Sequence, residues 1–403
     1  MEERVQKHKI YEELFICCSC AVLIGFLVSL AEVIFGKGLE FILHIRAQCA
    51  LLLMIGLPFA GLFIVFLFDH WGKISRKGMN LVFEVDQGVS DWIPLRLVPF
   101  MIISTWLTHL FGGSAGREGV AVQIGATISH CIGRHIHYPN TSTIFLVAGI
   151  AAGFAGLFGT PIAAVFFAME VLVAGTLKYR AMGPALVASF TAASVSSWFG
   201  LTRASYVIHF DFNLDLHLGI CLILMGIVFG VIGGLFAHFL LSVKAIVQKK
   251  IENPYIRIFG LGVILAICMA LFGQGRYSNL GGNLIQSCMT DGNVYMYDWI
   301  LKFVLTIFTL SIGFQGGEVT PLFSIGACLG FVLAPLFGLP PVICAALGYA
   351  AVFGSGTNTF LAPIAIGMEI FGYEYFPLFF IVCAVAYLTN RNQSIYALQQ
   401  RAV

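Results

Sequence analysis

Glu118 is the ionisable residue best placed to do chemistry in this chain. It stands in Gly112-Gly113-Ser114-Ala115-Gly116-Arg117-Glu118-Gly119-Val120-Ala121-Val122-Gln123-Ile124-Gly125. The pattern predicts a glycine-rich turn that opens an apolar helix. The first amides of a helix have no intrahelical acceptor and sit at the positive end of its dipole, so they hold anions. Glycines let backbone approach an ion with no Cβ in the way. Glu118 occupies the position an anion would take. A carboxylate there also stabilises its own helix dipole, and the motif by itself leaves both roles open. Two further stretches share the logic: Gly78-Met79-Asn80-Leu81-Val82 after Lys73–Lys77, and Gly316-Gly317-Glu318-Val319-Thr320-Pro321 before another apolar run. Each predicts a helix start with exposed amides. Asn390-Arg391-Asn392-Gln393-Ser394-Ile395-Tyr396 adds a phenol soon after a polar break.

The elements that position these residues are membrane helices. Of 403 residues, 59% are hydrophobic and only 10% charged, against about a quarter charged in a soluble domain. The charges fall in islands at the first eleven residues, 73–77, 176–180, 244–258 and 389–401. Between them lie apolar stretches such as 14–35, 48–68, 182–201 and 218–242, long enough to cross a bilayer, which takes about 20 residues. Backbone in lipid must satisfy its own hydrogen bonds, so we expect an all-α polytopic protein of roughly ten to twelve helical segments. An ionisable group at membrane depth is a functional candidate, which strengthens the case for Glu118. Arg4, Lys7 and Lys9 before the first span favour a cytoplasmic N-terminus. The 14–35 stretch is too long for a signal-peptide core and reads as mature structure. The net charge of +2 says little about partners, and no basic patch suited to nucleic acid is visible. Cys17, Cys18 and Cys20 lie mid-span with no His or carboxylate beside them, so they read as small hydrophobes, and no metal or cofactor is expected.

An internal repeat organises the chain. At an offset of 199, Gly149, Ala151, Ala152, Phe154, Thr160, Ala163, Met169 and Glu170 recur as the same residue types, ending at Glu369. At an offset of 201, Gly116, Ile124, Gly125 and Ala126 match Gly317, Ile325, Gly326 and Ala327, so Val319 is the mate of Glu118. Asn80-Leu81 falls on Asn279-Leu280. The halves run over 12–200 and 210–396, joined near Asp211–His217. An odd number of spans per half would orient them oppositely, and such inverted repeats bind substrate near the midplane, where broken helices point their N-termini at an anion.

Gly116 to Gly125 strongly resembles the gate motif of the CLC chloride channels and exchangers. Gly316 to Pro321 resembles their second anion-binding stretch, Tyr396 their central-site tyrosine, and Phe158-Gly159-Thr160-Pro161 a further family turn. The resemblance spans the whole chain in order. It implies a CLC-type inverted repeat with tilted and re-entrant helices, in one transmembrane domain over 1–403. It also implies a homodimer with one pathway per subunit in the cell membrane. The chain stops soon after Tyr396, so no cytoplasmic regulatory domain is expected. Two departures matter. Where chloride-transporting members have a Gly-Ser-Gly-Ile-Pro type loop, this chain has Gly78-Met79-Asn80-Leu81-Val82, which is similar to the fluoride-exporting branch, as is Gly317-Glu318-Val319-Thr320-Pro321. The inner proton-handling Glu of the chloride exchangers falls on Val171.

The resemblance implies a fluoride/proton antiporter conferring fluoride resistance, with Glu118 as gate and proton carrier. Gly78, Met79, Asn80, Glu318, Val319, Thr320 and Tyr396 would form the anion path. Dehydrating fluoride is costly unless the site replaces its water; amides near these residues and the Tyr396 hydroxyl would do so. Met79 has no proton to donate and would remove a hydroxyl that suits chloride, although an arbitrary Met more often fills a core gap. Glu318 is either a proton acceptor or a support for Thr320 and its turn. Glu170 and Glu369 recur in both halves, which favours a structural pair, and Arg117 is expected to tether to a carboxylate or carbonyls. A chloride/proton exchanger is opposed by Met79 and Val171. A passive channel is not, since some family channels keep the gate Glu. An intramembrane enzyme would need a metal-binding His-Glu helix, paired Asp residues or a nucleophile–base couple, and the sequence has none at membrane depth.

Overall fold

The structure, a computed structural model, describes residues 2–136, 141–203 and 205–402, without the side chains of residues 2–10 and 291. The side chains of Arg4, Lys7 and Lys9, on which the N-terminal orientation rests, therefore lie outside the described residues.

Sixteen α-helices form among the described residues, eight in each half. The first half comprises α1 (Glu2–Met54), α2 (Leu57–Trp71), α3 (Met79–Asp86), α4 (Leu97–Leu110), α5 (Glu118–Gly133), α6 (Thr141–Phe158), α7 (Pro161–Glu170) and α8 (Met182–Trp198). The second comprises α9 (Leu216–Lys250), α10 (Pro254–Leu271), α11 (Gly282–Gln286), α12 (Asp298–Ile312), α13 (Val319–Phe337), α14 (Pro341–Thr357), α15 (Leu361–Phe371) and α16 (Phe376–Thr389). Each helix has its mate in the same order. Gly112 after α4 and Gly313 after α12 are one such pair, with φ of 91° and 122°, a region open to glycine and strained for other residues. Five helices are long and apolar enough to cross a bilayer, and six shorter apolar ones accompany them. The protein is a multi-pass membrane protein.

The helix count exceeds the ten to twelve expected, because α3, α7, α11 and α15 have only 8, 10, 5 and 11 residues. A segment that stops partway across the membrane leaves no full-length hydropathy signal. The 48–68 stretch is also not one span. α1 bends at Cys49 (φ −145°, ψ 44°) and ends at Met54, and α2 starts afresh with a proline in its first turn, where the missing N–H costs no hydrogen bond. A straight α1 of 53 residues would be roughly 80 Å long, more than twice the hydrocarbon thickness. One strand pair breaks the all-α pattern: Val173–Ala174 runs parallel to Gln400–Arg401 and ties the C-terminal segment to the end of α7.

Glycines set the spacing around the centre. A Cβ at Gly125 would collide with the Gly149 carbonyl, and one at Gly326 with the Gly348 carbonyl. These are mates in the repeat, so α5 against α6 and α13 against α14 use the same small-residue contact that lets membrane helices approach closely. The halves also cap each other. Glu170 at the end of α7 accepts from the amides of Phe360, Leu361 and Ala362 at the start of α15. Glu369 in α15 accepts from Ile162 and Ala163 at the start of α7. The repeated Glu pair is thus structural, as its recurrence suggested.

Candidate ion site

The centre of the molecule is built on two glycines. Gly116 and Gly317 exchange backbone hydrogen bonds as an isolated antiparallel bridge, so the starts of α5 and α13 meet head to head from opposite halves. Both positions exclude a side chain. A Cβ on Gly116 would stand 2.8 Å from Glu118 Oε2 and from Pro321 Cδ, and one on Gly317 would stand 2.7 Å from the Gly119 nitrogen.

Glu118 lies over this bridge, fully buried. Its Oε2 accepts the Thr320 amide at 2.9 Å, from the first turn of α13, and the Arg117 amide at 3.1 Å. One carboxylate oxygen therefore takes N–H groups from the helix starts of both halves. Oε1 makes no hydrogen bond and lies 3.8 Å from Arg117 Nε. Arg117 tethers to this carboxylate, and its guanidinium lies 5.9 Å over the Phe158 ring. Phe158 belongs to the turn before Thr160 and Pro161.

The other expected residues gather on one side of this pair. Gly78, Met79, Asn80, Glu318 and Tyr396 line one cavity of about 350 Å³. α3 starts at Met79 with Gly78 at its N-cap and no side-chain cap, so its first amides are left for a ligand or water. Gly78 has φ +55° and ψ −128°, outside the regions open to L side chains, which explains the glycine. The Tyr396 ring packs against Phe83 with centroids 5.5 Å apart. Thr320 meets Glu118 through its amide, and its own hydroxyl is buried and unpartnered. Val319 is buried at the start of α13 and is not among the residues that line the cavity.

Glu318 stands at the N-cap of α13 and makes no capping hydrogen bond. Its Oε2 lies against α5, 3.3 Å from where a Gly119 Cβ would be, and its side chain faces the cavity. Val171, at the position of the chloride exchangers' inner Glu, is fully buried, and its carbonyl accepts from Gln399 Nε2.

The sequence reading passed over three features. Gln123 lines the cavity, donates to the Gly119 carbonyl at 2.9 Å, and leaves Oε1 buried and unpartnered near Gly78. A Gln in an apolar helix one turn after Glu118 could have flagged it. Arg76, Lys77, Lys244 and Arg257 line the same cavity, on which Glu318 also opens. Lys302, fully buried, donates to Ser114 Oγ at 2.9 Å and to the Tyr277 and Asn279 carbonyls, joining the turn before Glu118 to the second half. No local pattern marks it, because its partners are remote in sequence.

Residues 60–391 match the family described as "Voltage gated chloride channel". The chain is 38% identical over 350 residues to a "Chloride/fluoride channel protein" of Pseudomonas syringae pv. tomato, covering 85% of this chain and 77% of that one. Among solved structures it is similar to that of a CLC-type fluoride/proton antiporter, with TM-score 0.95 and 49% identity over 97% of this chain and 99% of the other. A slow cyanobacterial Cl-/H+ antiporter has the same fold at 20% identity, with TM-score 0.79 over 93% and 94% of the two chains.

Proposed function

The chain belongs to the CLC family of voltage gated chloride channels, and from that premise we propose that it is a secondary active transporter that exports fluoride in exchange for protons. The observation that carries this reading is the seat of Glu118. Its Oε2 takes the Thr320 and Arg117 amides, one from each half, so the carboxylate acts as a tethered anion on the path. Ionised, it blocks the path. Protonated, it no longer competes for those amides and swings aside, and a fluoride ion takes its place. Proton and anion then alternate, and inward protons drive fluoride out.

Fluoride as the anion is supported by the relatives named as fluoride-handling, at 49% and 38% identity, and by Met79 in place of a hydroxyl. Small anions need many short N–H or O–H donors to replace their water. The unfilled amides of α3 and the Tyr396 hydroxyl supply donors on one side, and those under Glu118 supply the next step. Glu318, with no capping role and facing the cavity, is the proton acceptor on that side in place of the Glu absent at Val171. The two halves work as a single transmembrane unit over 1–403. The molecule is a homodimer in the cell membrane with a cytoplasmic N-terminus, and it transports its substrate without altering it covalently.

Purified protein in vesicles loaded with fluoride or chloride tests this directly while external pH is recorded. We expect fluoride efflux accompanied by stoichiometric proton uptake, and little chloride efflux. Fluoride efflux without pH change would make it a passive channel, and chloride efflux with proton uptake a chloride exchanger.

A further inference from the structure

A second cavity, of about 320 Å³, lies between α1 and the turn before α11. Arg46, Ser278, Asn279 and Asn283 supply its polar groups, and Leu43 and Ala47 of α1 part of its apolar wall. It shares no lining residue with the Met79 cavity. The repeat nevertheless relates the two, since Asn80 lines the first and its mate Asn279 lines the second.

Arg46 is only 3% exposed and has no ion-pair partner among the described residues. No acidic residue lines the cavity. Lys302, fully buried and equally without an ion pair, donates to the Tyr277 and Asn279 carbonyls of the same turn. Asp298 reaches this turn through the Tyr277 hydroxyl, but it is ion-paired with Arg276 at 2.7 Å. Two buried cations thus stand beside one turn with no counter-charge of their own, an arrangement penalised in a low-dielectric interior.

The Arg46 guanidinium also has donors to spare. It carries five N–H groups. Nη1 donates to the Leu110 carbonyl at 3.2 Å and Nη2 to Ser278 Oγ at 3.1 Å. Nε donates at 3.2 Å to the side-chain oxygen of Asn279, whose amide nitrogen donates to the His109 carbonyl at 2.7 Å. One N–H remains on each terminal nitrogen. Two glycines make room for the group: a Cβ on Gly112 would stand 2.5 Å from Nη2, and one on Gly275 3.3 Å from it. Two donors on one guanidinium match two oxygens of a single oxyanion, which favours a phosphate group over a halide ion. The cavity reaches the surface at Ala47, Gly282 and Asn283, which are exposed. On the same stretch of α1, Phe41, Leu51 and Leu52 are exposed too, as apolar side chains are where a protein meets lipid.

We propose that this cavity binds a phosphate group on Arg46, carried either by the headgroup of an anionic lipid or by free phosphate. The site includes none of the residues assigned to the ion path, and it does not depend on which ion is transported. Arg46 holds the Leu110 carbonyl, and the Asn279 amide donates to the Gly113 carbonyl at 2.8 Å. A bound phosphate therefore neutralises the cation that braces the turn before Glu118 against the second half.

Thermal unfolding of the full chain in detergent, stripped of lipid, tests the site and separates its sources. The additions are inorganic phosphate, phosphatidylglycerol, and diacylglycerol with the same acyl chains as a lipid lacking phosphate. At about a hundredfold excess over Kd, a ligand of the folded state should raise the wild-type midpoint by roughly 3 °C. A rise with inorganic phosphate assigns the site to the free ion; a rise with phosphatidylglycerol alone, and none with diacylglycerol, assigns it to the lipid headgroup. Arg46→Gln removes the fork and should abolish either rise. Gly282→Glu covers the case in which that variant does not fold. A Cβ at Gly282 meets nothing within 4 Å, so the carboxylate enters a cavity with space for it, pairs with Arg46 and displaces the ligand. Stabilisation through exclusion of phosphate from the protein surface would be common to all three chains. No rise in wild type with either phosphate compound, or a rise of wild-type size in Gly282→Glu, would overturn the proposal.

Discussion

Glu118 Oε2 accepts hydrogen bonds from the Thr320 and Arg117 amides in the way a small anion would, while Gly116 and Gly317 leave no room for a side chain that would push it off. The site is therefore defined by donors of fixed direction and by what is kept out. Met79 extends that logic to the cavity. Met79→Ser would add a hydroxyl beside the first amides of α3, which suits a larger halide. We expect the fluoride-over-chloride preference in vesicle flux to fall about tenfold, equivalent to about 1.4 kcal/mol. Unchanged selectivity would remove Met79 from the selective step.

At the scale of the helices, α7 and α15 close on each other through two carboxylates that cap each other's first turns. Glu369→Ala leaves the Ile162 and Ala163 amides without their acceptor. With about 1–3 kcal/mol lost for each orphaned buried donor, we expect a lower thermal midpoint in detergent. Anion selectivity should be unaltered, since this contact lies outside the cavity. A parallel loss of selectivity would mean that the pair shapes the path. Recurrence made this pair legible in the sequence, as Glu170 and Glu369 are spaced like the glycines around them. The gate turn was legible for a similar local reason: glycine, charge and apolar run are contiguous. α3, α7, α11 and α15 were not, because a helix that stops partway across the membrane carries too little hydropathy. Glu318 could be read two ways, because a carboxylate at a helix start suits a cap and a proton acceptor equally. Gln123 and Lys302 escaped because their partners, near Gly78 and at Ser114, Tyr277 and Asn279, are joined only by folding.

Across the whole molecule, the repeat turns two helix starts toward each other beside a cavity that four basic side chains and Glu318 line. Arg76 and Lys77 in its wall are ion-paired with Asp69 and Glu84 at 2.9 and 2.6 Å, and Arg257 donates to the Ile251 and Ile312 carbonyls. Lys244 thus contributes charge to the cavity without such a partner among the described residues. Lys244→Gln should slow fluoride flux severalfold at low ionic strength. The difference should fade at high salt, where the Debye length drops to about 3 Å at 1 M. A salt-independent defect would assign Lys244 a different role.

The central claim is that one carboxylate is both the gate and the proton carrier. The direct measurement is fluoride flux in vesicles bearing Glu118→Gln, with external pH recorded and a proton gradient imposed. The account predicts that fluoride moves only down its own gradient, with no proton uptake and no response to the imposed pH difference. Fluoride-driven proton uptake at the wild-type ratio in that variant would contradict it.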